Sequence, residues 1–344
     1  MITFYSPGTP ATLYTAPDGC AQLTSTAVWI DMFEPTTEEE LTLEAALGID
    51  IPTRQEMQAI ELSSRLYEQN GVLYMTATVL AKATTEHPES AAITFILLPD
   101  KLVTLRYADP AAFTAFRNRR EANLQRYQTQ YQFLAGLIDA IVERIADILE
   151  AAGANMDRLS ARVFDHAPAP ARLNGRHNPL ARTPGGEARK ARQRDFVEIL
   201  KQIGGVSDLV SRTRETLVSF VRMIAFFREA RKDAPAARES LAHYKTVTAD
   251  LASMSDHATF LSGKVNFLLD ATLGMINNEQ NAIIKALSVA ALVFLPPTLV
   301  AGIYGMNFDV MPELKWVLGY PFALTLMVTA AVLPYMVFRR KGWL

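Results

Sequence analysis

The sequence is nearly without cysteine: Cys20 stands alone among 344 residues. One thiol excludes an intramolecular disulfide framework and fits a reducing compartment. Net charge is -2, so there is no basic excess and nucleic acid is not expected as a partner. The N-terminus, MITFYSPGTPATLYTAPDG, has neither the basic nor the apolar region of a secretory signal, and the first domain is expected to stay in the cytoplasm. No Gly-x-x-x-x-Gly-Lys-Ser/Thr loop occurs, which leaves coupling to ATP unsupported. His87, His166, His177, His243 and His257 lack ligand-like spacing and read as solvated or capping side chains. Neither an enzyme nor a bound cofactor is expected.

Charge is also missing locally. ALSVAALVFLPPTLVAGIYGMNF (286–308) and WVLGYPFALTLMVTAAVLPYMVF (316–338) contain no ionised side chain. Each run of about 23 residues is long enough to cross a hydrocarbon core of about 30 Å as a helix. Two such runs in succession do not suit a soluble core, so two transmembrane helices are predicted. The joining loop, 309–315, holds Asp309, Glu313 and Lys315, which roughly cancel. Lys285 flanks the pair on one side, and Arg339, Arg340 and Lys341 in the tail 339–344 flank it on the other. Basic flanks mark the cytoplasmic side, so both termini are expected inside and the loop outside. Trp316, Tyr320, Tyr335 and Trp343 fall where amphipathic rings favour the interface.

What precedes the spans is soluble in character. Residues 1–125 read as a mixed α/β domain, with strands in AVWIDMF, GVLYMTATVLA, ITFILL and LVTLRY. TTEEELTLEAALG (36–48) has a capping box at Thr36 or Thr37 and Gly48 as C-cap. A second helix is expected in PTRQEMQAIELSSRLYE (52–68), and another opening with Asp109 as N-cap and Pro110 at N1. Residues 126–235 read as an antiparallel helical hairpin, broken at 166–188 by a Pro/Gly/Arg-rich loop, solvated or touching anionic lipid. A stalk helix is expected over 236–285. If it runs on to Met306, about 70 residues make a rod on the order of 105 Å. Its apolar spacing near seven suggests bundling with copies of itself.

Within the first span, Asn281, Ser288, Thr298 and Gly302 fall near one helix face, with Ile284, Leu287 and Leu295 on or beside it. Small and hydroxyl residues on one face serve packing between helices or a pore wall, and periodicity does not choose. Pro296-Pro297 takes the donors from the carbonyls of Leu292 and Val293. Backbone unsatisfied at that depth is tolerated beside protein or a wet cavity. A lined pore and an ordinary kink both remain open.

YGMNFDVMPELKW resembles the Gly-Met-Asn signature of the CorA family of divalent-cation channels. The similarity extends through INNEQNAIIKALSVAALVFLPPTLVAGIYGMNF, GYPFALTLMVTAAVLPYMVFRRKGWL and the earlier TRQEMQAIELSSRLYE, with 166–188 outside it. The resemblance implies an α+β membrane protein: a homopentamer with a cytosolic α/β funnel domain, a long stalk helix and two C-terminal transmembrane helices in the inner membrane. The first span lines the pore and the second forms the outer ring. Gly305, Met306 and Asn307 match the signature, with the asparagine ring receiving the ion at the outer mouth. Asn281 and Thr298 match pore positions. Ile284, Leu287 and Leu295 match an apolar constriction, with Ile284 and Leu295 in place of methionines. Asp270 matches an acidic position and is expected to join a regulatory magnesium site, against the alternative of a solvated stalk charge. Asp309 and Glu313 either concentrate cations at the mouth or do nothing.

Passive Mg2+ influx is then expected, with Co2+ and Ni2+ as secondary substrates and internal Mg2+ as regulatory ligand. A zinc-transporting branch usually carries isoleucine where this chain has Met306. A membrane-anchored coiled-coil scaffold without transport is the alternative from another class.

Overall fold

The computed structural model describes residues 1–14, 20–59, 61–83, 85, 88–165, 186–306 and 316–340. The chain divides into two compact units, Met1–His166 with Val197–Leu269, and Ala167–Phe196 with Asp270–Leu344.

The first unit is built on a seven-stranded sheet. Its strands are β1 (Ile2–Tyr5), β2 (Thr12–Leu13), β3 (Trp29–Phe33), β4 (Leu66–Gln69), β5 (Val72–Ala81), β6 (Glu89–Leu97) and β7 (Leu102–Arg106). The order is β2-β1-β3-β7-β6-β5-β4. All neighbours are antiparallel except β3 and β7, which pair in parallel with Asp31 opposite Thr104. β5 is buried at every residue, as expected of a strand covered on both faces. One face packs Ile30, Met32, Tyr74, Ile96 and Val103 with Leu43 of α2 (Thr37–Leu47). On the other, Trp29 meets Phe116 of α5 (Ala111–Ala122) and Phe133 of α6 (Gln130–Asp165), at ring separations of 5.4 and 5.7 Å. Burying each such ring contributes about 1.5–3 kcal/mol.

A charged network crosses the middle of the sheet. Arg106 is fully buried and grips Asp31, 2% exposed, through Nε to Oδ1 at 3.0 Å and Nη2 to Oδ2 at 2.9 Å. Thr104 Oγ1 donates to the same carboxylate at 2.8 Å and receives the Trp29 indole N–H at 3.0 Å. Arg106 also donates to the Ala108 carbonyl and to Asp109 Oδ1, and its guanidinium lies over the Phe33 and Phe113 rings.

Local signals explain the small helices. Thr36 makes a full capping box with Glu39, and Gly48 closes α2 at φ 67°, donating to the Glu44 carbonyl. The helix expected over 52–68 is instead α3 (Arg54–Met57) and α4 (Leu62–Arg65) running into β4. The cause is the turn at Asn70-Gly71, with φ 51° and 81°. Such a turn folds β4 back on β5, where Tyr67 and Tyr74 stack at 4.6 Å. Asp109 does not cap α5 either. Pro110 occupies that position, and the Asp109 carboxylate is held by Arg106. Residues 2–5 and 12–13, to which no strand was assigned from sequence, form β1 and β2.

Thr53 and Glu56 make a second capping box at α3, and the bonds from the Thr53 backbone and hydroxyl hold the Glu56 carboxyl below its ordinary range. A lowered folded value stabilises fully above the unfolded carboxylate range and is lost as pH falls through the folded value. Glu56→Gln is therefore expected to lower stability by about 0.3–1 kcal/mol at neutral pH. The gap should narrow as pH falls below the ordinary glutamate value of about 4.3. Urea midpoints across that pH range check this, and a gap that stays constant contradicts it.

Three long helices follow, and the first two reach the other face of the sheet, Phe133 against Trp29 and Phe220 against Phe95. α6, α7 (Gly186–Ala230) and α8 (Arg238–Tyr304) bury apolar residues at three- and four-residue steps, as in Leu134, Leu137, Ile138 and Ile141 of α6. α6 and α7 are antiparallel: Tyr131 meets Phe227 at one end, and Arg162 bonds Gln202 towards the other. α8 runs with α6, joined by His243 to Asp139 at 2.7 Å, by Lys264 to Asp157, and by Phe267 against Phe164. Residues 166–185 of the expected loop 166–188 lie outside the described residues, and α7 begins at Gly186, inside that stretch.

In the second unit, the apolar end of α8 and α9 (Gly319–Arg340) are each long and apolar enough to span a membrane.

Candidate functional site

The site is carried by the C-terminal part of α8. Helical from Ala286 through Tyr304 and free of charge, this segment has no salt bridge to orient it, so its chemistry is that of amides, hydroxyls and the backbone. At about 100° per residue, Asn281, Ser288, Leu295, Ile284, Gly302, Thr298 and Leu287 fall within an arc of about 120°. Asp270 and Asn277 continue the same strip towards the N-terminus, at seven-residue steps from Ile284. Asn277 was not singled out by sequence reasoning, though that heptad spacing was the available signal.

Among the described residues, no neighbouring element covers this strip. Ile284, Leu287 and Leu295 are 60, 71 and 68% exposed, and Asn281, Ser288, Thr298 and Gly302 are exposed too. Exposure is not confined to it, since Ile283 and Phe294, outside that arc, are 46 and 71% exposed. Apolar surface on this scale requires partners, whether lipid, other helices or both.

The two hydroxyls are oriented by the backbone. Ser288 Oγ donates to the Ile284 carbonyl at 2.8 Å, and Thr298 Oγ1 to the Phe294 carbonyl at 2.7 Å. With its proton committed, each oxygen offers only lone pairs outwards. That suits a wall that accepts hydrogen bonds, such as those from water around a cation. α8 stays helical through Pro296 and Pro297. The Thr298 bond goes to Phe294, so it does not replace the donors that the prolines withdraw from Leu292 and Val293.

The helix closes tightly. Gly305 N–H donates to the Ala301 carbonyl at 2.9 Å, and Met306 N–H to the Ile303 carbonyl at 3.3 Å. A Cβ on Gly305 would stand 2.9 Å from the Ala301 carbonyl oxygen, a backbone atom that cannot swing aside. Glycine is thus required at 305 for steric reasons, whereas at Gly302 a Cβ would meet open space. Asn307, Asp309 and Glu313 lie outside the described residues.

Asp270 is exposed on α8. Among the described residues, no group of three or more His, Cys, Asp or Glu side chains is placed to hold a metal ion. His243 is engaged by Asp139, and His257 stacks beside Phe260, while His87, His166 and His177 fall outside the described residues.

Residues 24–174 and 180–340 match the family described as CorA-like Mg2+ transporter protein. The match runs through most of 166–188 and breaks only between 174 and 180, so the stretch that sequence reading set apart is largely shared. The magnesium transport protein CorA of Pasteurella multocida (strain Pm70) is 34% identical over 325 residues, 94% of each chain. Its namesake in Escherichia coli (strain K12) is 34% identical over 319 residues, 92% of each. The complete structure of the CorA magnesium transporter from Methanocaldococcus jannaschii superposes with a TM-score of 0.72 at 16% identity, covering 100% of this chain and 99% of that one. Full-length CmaX gives 0.59 at 15% identity, covering 92% and 88%. Both share the fold.

Proposed function

The chain belongs to the CorA family, and from that premise we propose that it is a passive channel admitting Mg2+ down the membrane potential. One observation carries the reading: α8 ends at Tyr304, directly before Gly305-Met306-Asn307, and this signature closes the first of two uncharged membrane-length runs.

In this reading five copies surround an axis, with the strip of Asn281, Ser288, Thr298 and Gly302 turned towards it and α9 outside. Magnesium surrenders its water reluctantly. Five Asn307 amide oxygens at the outer mouth accept hydrogen bonds from the ion's own water shell and leave the shell intact. A carboxylate ring would hold the ion too long, and a lysine ring would repel it. Such binding is strong enough to select and weak enough to release. Deeper in, rings of Ile284, Leu287 and Leu295 close by excluding water. Asp309 and Glu313 raise cation concentration at the mouth. Asp270 contributes to a site where internal Mg2+ favours the closed state.

A divalent ion gains about 4.6 kcal/mol per 100 mV of inside-negative potential, so no other energy source is needed. The protein sits in the cell inner membrane with both termini in the cytoplasm, the side favoured by Lys285, Arg339, Arg340 and Lys341. Met306 favours Mg2+ over zinc, with Co2+ and Ni2+ as secondary substrates.

The test is flux in liposomes holding the full chain. Mg2+ entry should rise with an imposed inside-negative potential and be competed by Co2+ and Ni2+. Zinc entry that outcompetes Mg2+ would move the chain to a zinc-transporting function. Absence of any divalent flux from correctly inserted protein would leave a membrane-anchored scaffold.

A further inference from the structure

A face of α7 remote from the membrane spans in sequence is polar where a core helix would be apolar. Ser211, Arg214, Glu215, Val218, Ser219 and Arg222 recur at helical spacing along it. Opposite lie β5, β6 and the α3–α4 turn, and the space between is a cavity of about 600 Å³. That volume is within the range of small-molecule sites.

The wall carries three guanidiniums, Arg65, Arg214 and Arg222, against the single carboxylate of Glu215. Among the described residues none of the three arginines has an ion-pair partner. Arg65 donates from Nη2 to Thr78 Oγ1 at 2.8 Å, while its Nε is buried with nothing to bond. Ser90 Oγ, on the same wall, is buried and without a partner as well. Arg212 on the same helix shows the contrast: it does not line the cavity and closes onto Asp208 at 2.8 Å. Burial, and then the like charge of Arg222 against the pull of Glu215, hold the Arg65 guanidinium below its ordinary value. The hydroxyls also favour an oxygen-rich ligand. Ser219 Oγ accepts from the Thr78 amide at 2.9 Å, which leaves its proton to donate elsewhere.

We infer that this groove binds a small phosphate-bearing anion, held by Arg65, Arg214 and Arg222 and by the Ser219 hydroxyl. Guanidinium forks match phosphate oxygens two at a time. Three of them around one cavity exceed what a lone carboxylate can satisfy. The excess positive charge of the wall calls for a ligand of more than one negative charge. The site uses no residue of the α8 strip, and its occupancy is measured without any ion flux.

Calorimetric titration of the full chain in detergent tests it, in metal-free buffer, with pyrophosphate and ADP as soluble probes and dioctanoyl phosphatidylglycerol as the lipid-headgroup probe. Saturable binding of a soluble phosphate is expected. Arg214→Gln combined with Arg222→Gln should weaken it by about 100-fold. Both side chains are exposed on α7, so the variant should keep the wild-type circular dichroism. Arg212→Gln should bind as wild type does. No saturable heat from any probe at millimolar concentration overturns the inference. So does equal binding by the double variant, an equal loss in Arg212→Gln, or a response to the lipid alone.

Discussion

Asn307→Ala is expected to reduce Mg2+ entry into liposomes by well over tenfold while the protein inserts and assembles normally. The amide is the group proposed to meet the incoming ion, and symmetry multiplies its loss. A hydrogen bond to a neutral group contributes at least about 0.5 kcal/mol net. Five lost together remove about 2.5 kcal/mol, roughly 70-fold in ion occupancy. Asn307→Asp separates binding from charge: occupancy should rise and turnover fall, because a carboxylate releases the hydrated ion slowly. Glycine at 305, where a Cβ would meet the Ala301 carbonyl at 2.9 Å, permits the tight helix end that precedes Asn307 in sequence. Equal flux through wild type and Asn307→Ala would remove the amide ring from the mechanism.

Asp31→Ala should be the most destabilising single change in the first unit. It would leave the Arg106 guanidinium buried without the carboxylate that both Nε and Nη2 address. Burial alone opposes charge on Arg106, but the bonds and the field of Asp31 outweigh it and raise the guanidinium above its ordinary value, so the group stays ionised. Removing one partner of such a pair costs about 3–5 kcal/mol. Asp109 accepts from Nη1 but is nearly half exposed and cannot substitute for the inner carboxylate. Thermal unfolding in detergent should show a drop on the order of 10 °C. Asp31→Ala with Arg106→Met should recover much of it, since no buried charge is left alone. A single variant that melts with wild type would mean water or Asp109 already satisfies the arginine.

What could be read from the sequence was local. Thr36 and Glu39 announce a helix start by themselves, and Gly48 its end. Val72–Ala81 is rich enough in β-branched and aromatic residues to be a strand in any context. The uncharged runs and Gly305-Met306-Asn307 are likewise contiguous, which is why the functional reading was available before any coordinates. Errors fell where a distant partner decides. Leu62–Gln69 has helical periodicity, yet Tyr67 becomes strand because Tyr74 lies across the Asn70-Gly71 turn. Asp109 looks like a cap, yet Arg106 takes its carboxylate. Neither the Asp31–Arg106 pair nor the groove beside α7 is a motif. Each depends on residues that the sheet brings together from separate parts of the chain, so only the assembled fold reveals them.

The parallel pairing of β3 with β7 sets a timetable for biosynthesis. Thr104 and Asp31 are 73 positions apart. At roughly 5–20 residues per second, a ribosome needs about 4–15 s to deliver the second after the first. Through that interval the nascent chain carries Trp29 and Asp31 in water, on a strand edge whose neighbour has not been translated. The β5–β6 hairpin is complete before β7 emerges, so the last strand translated enters between two preformed pieces and joins them.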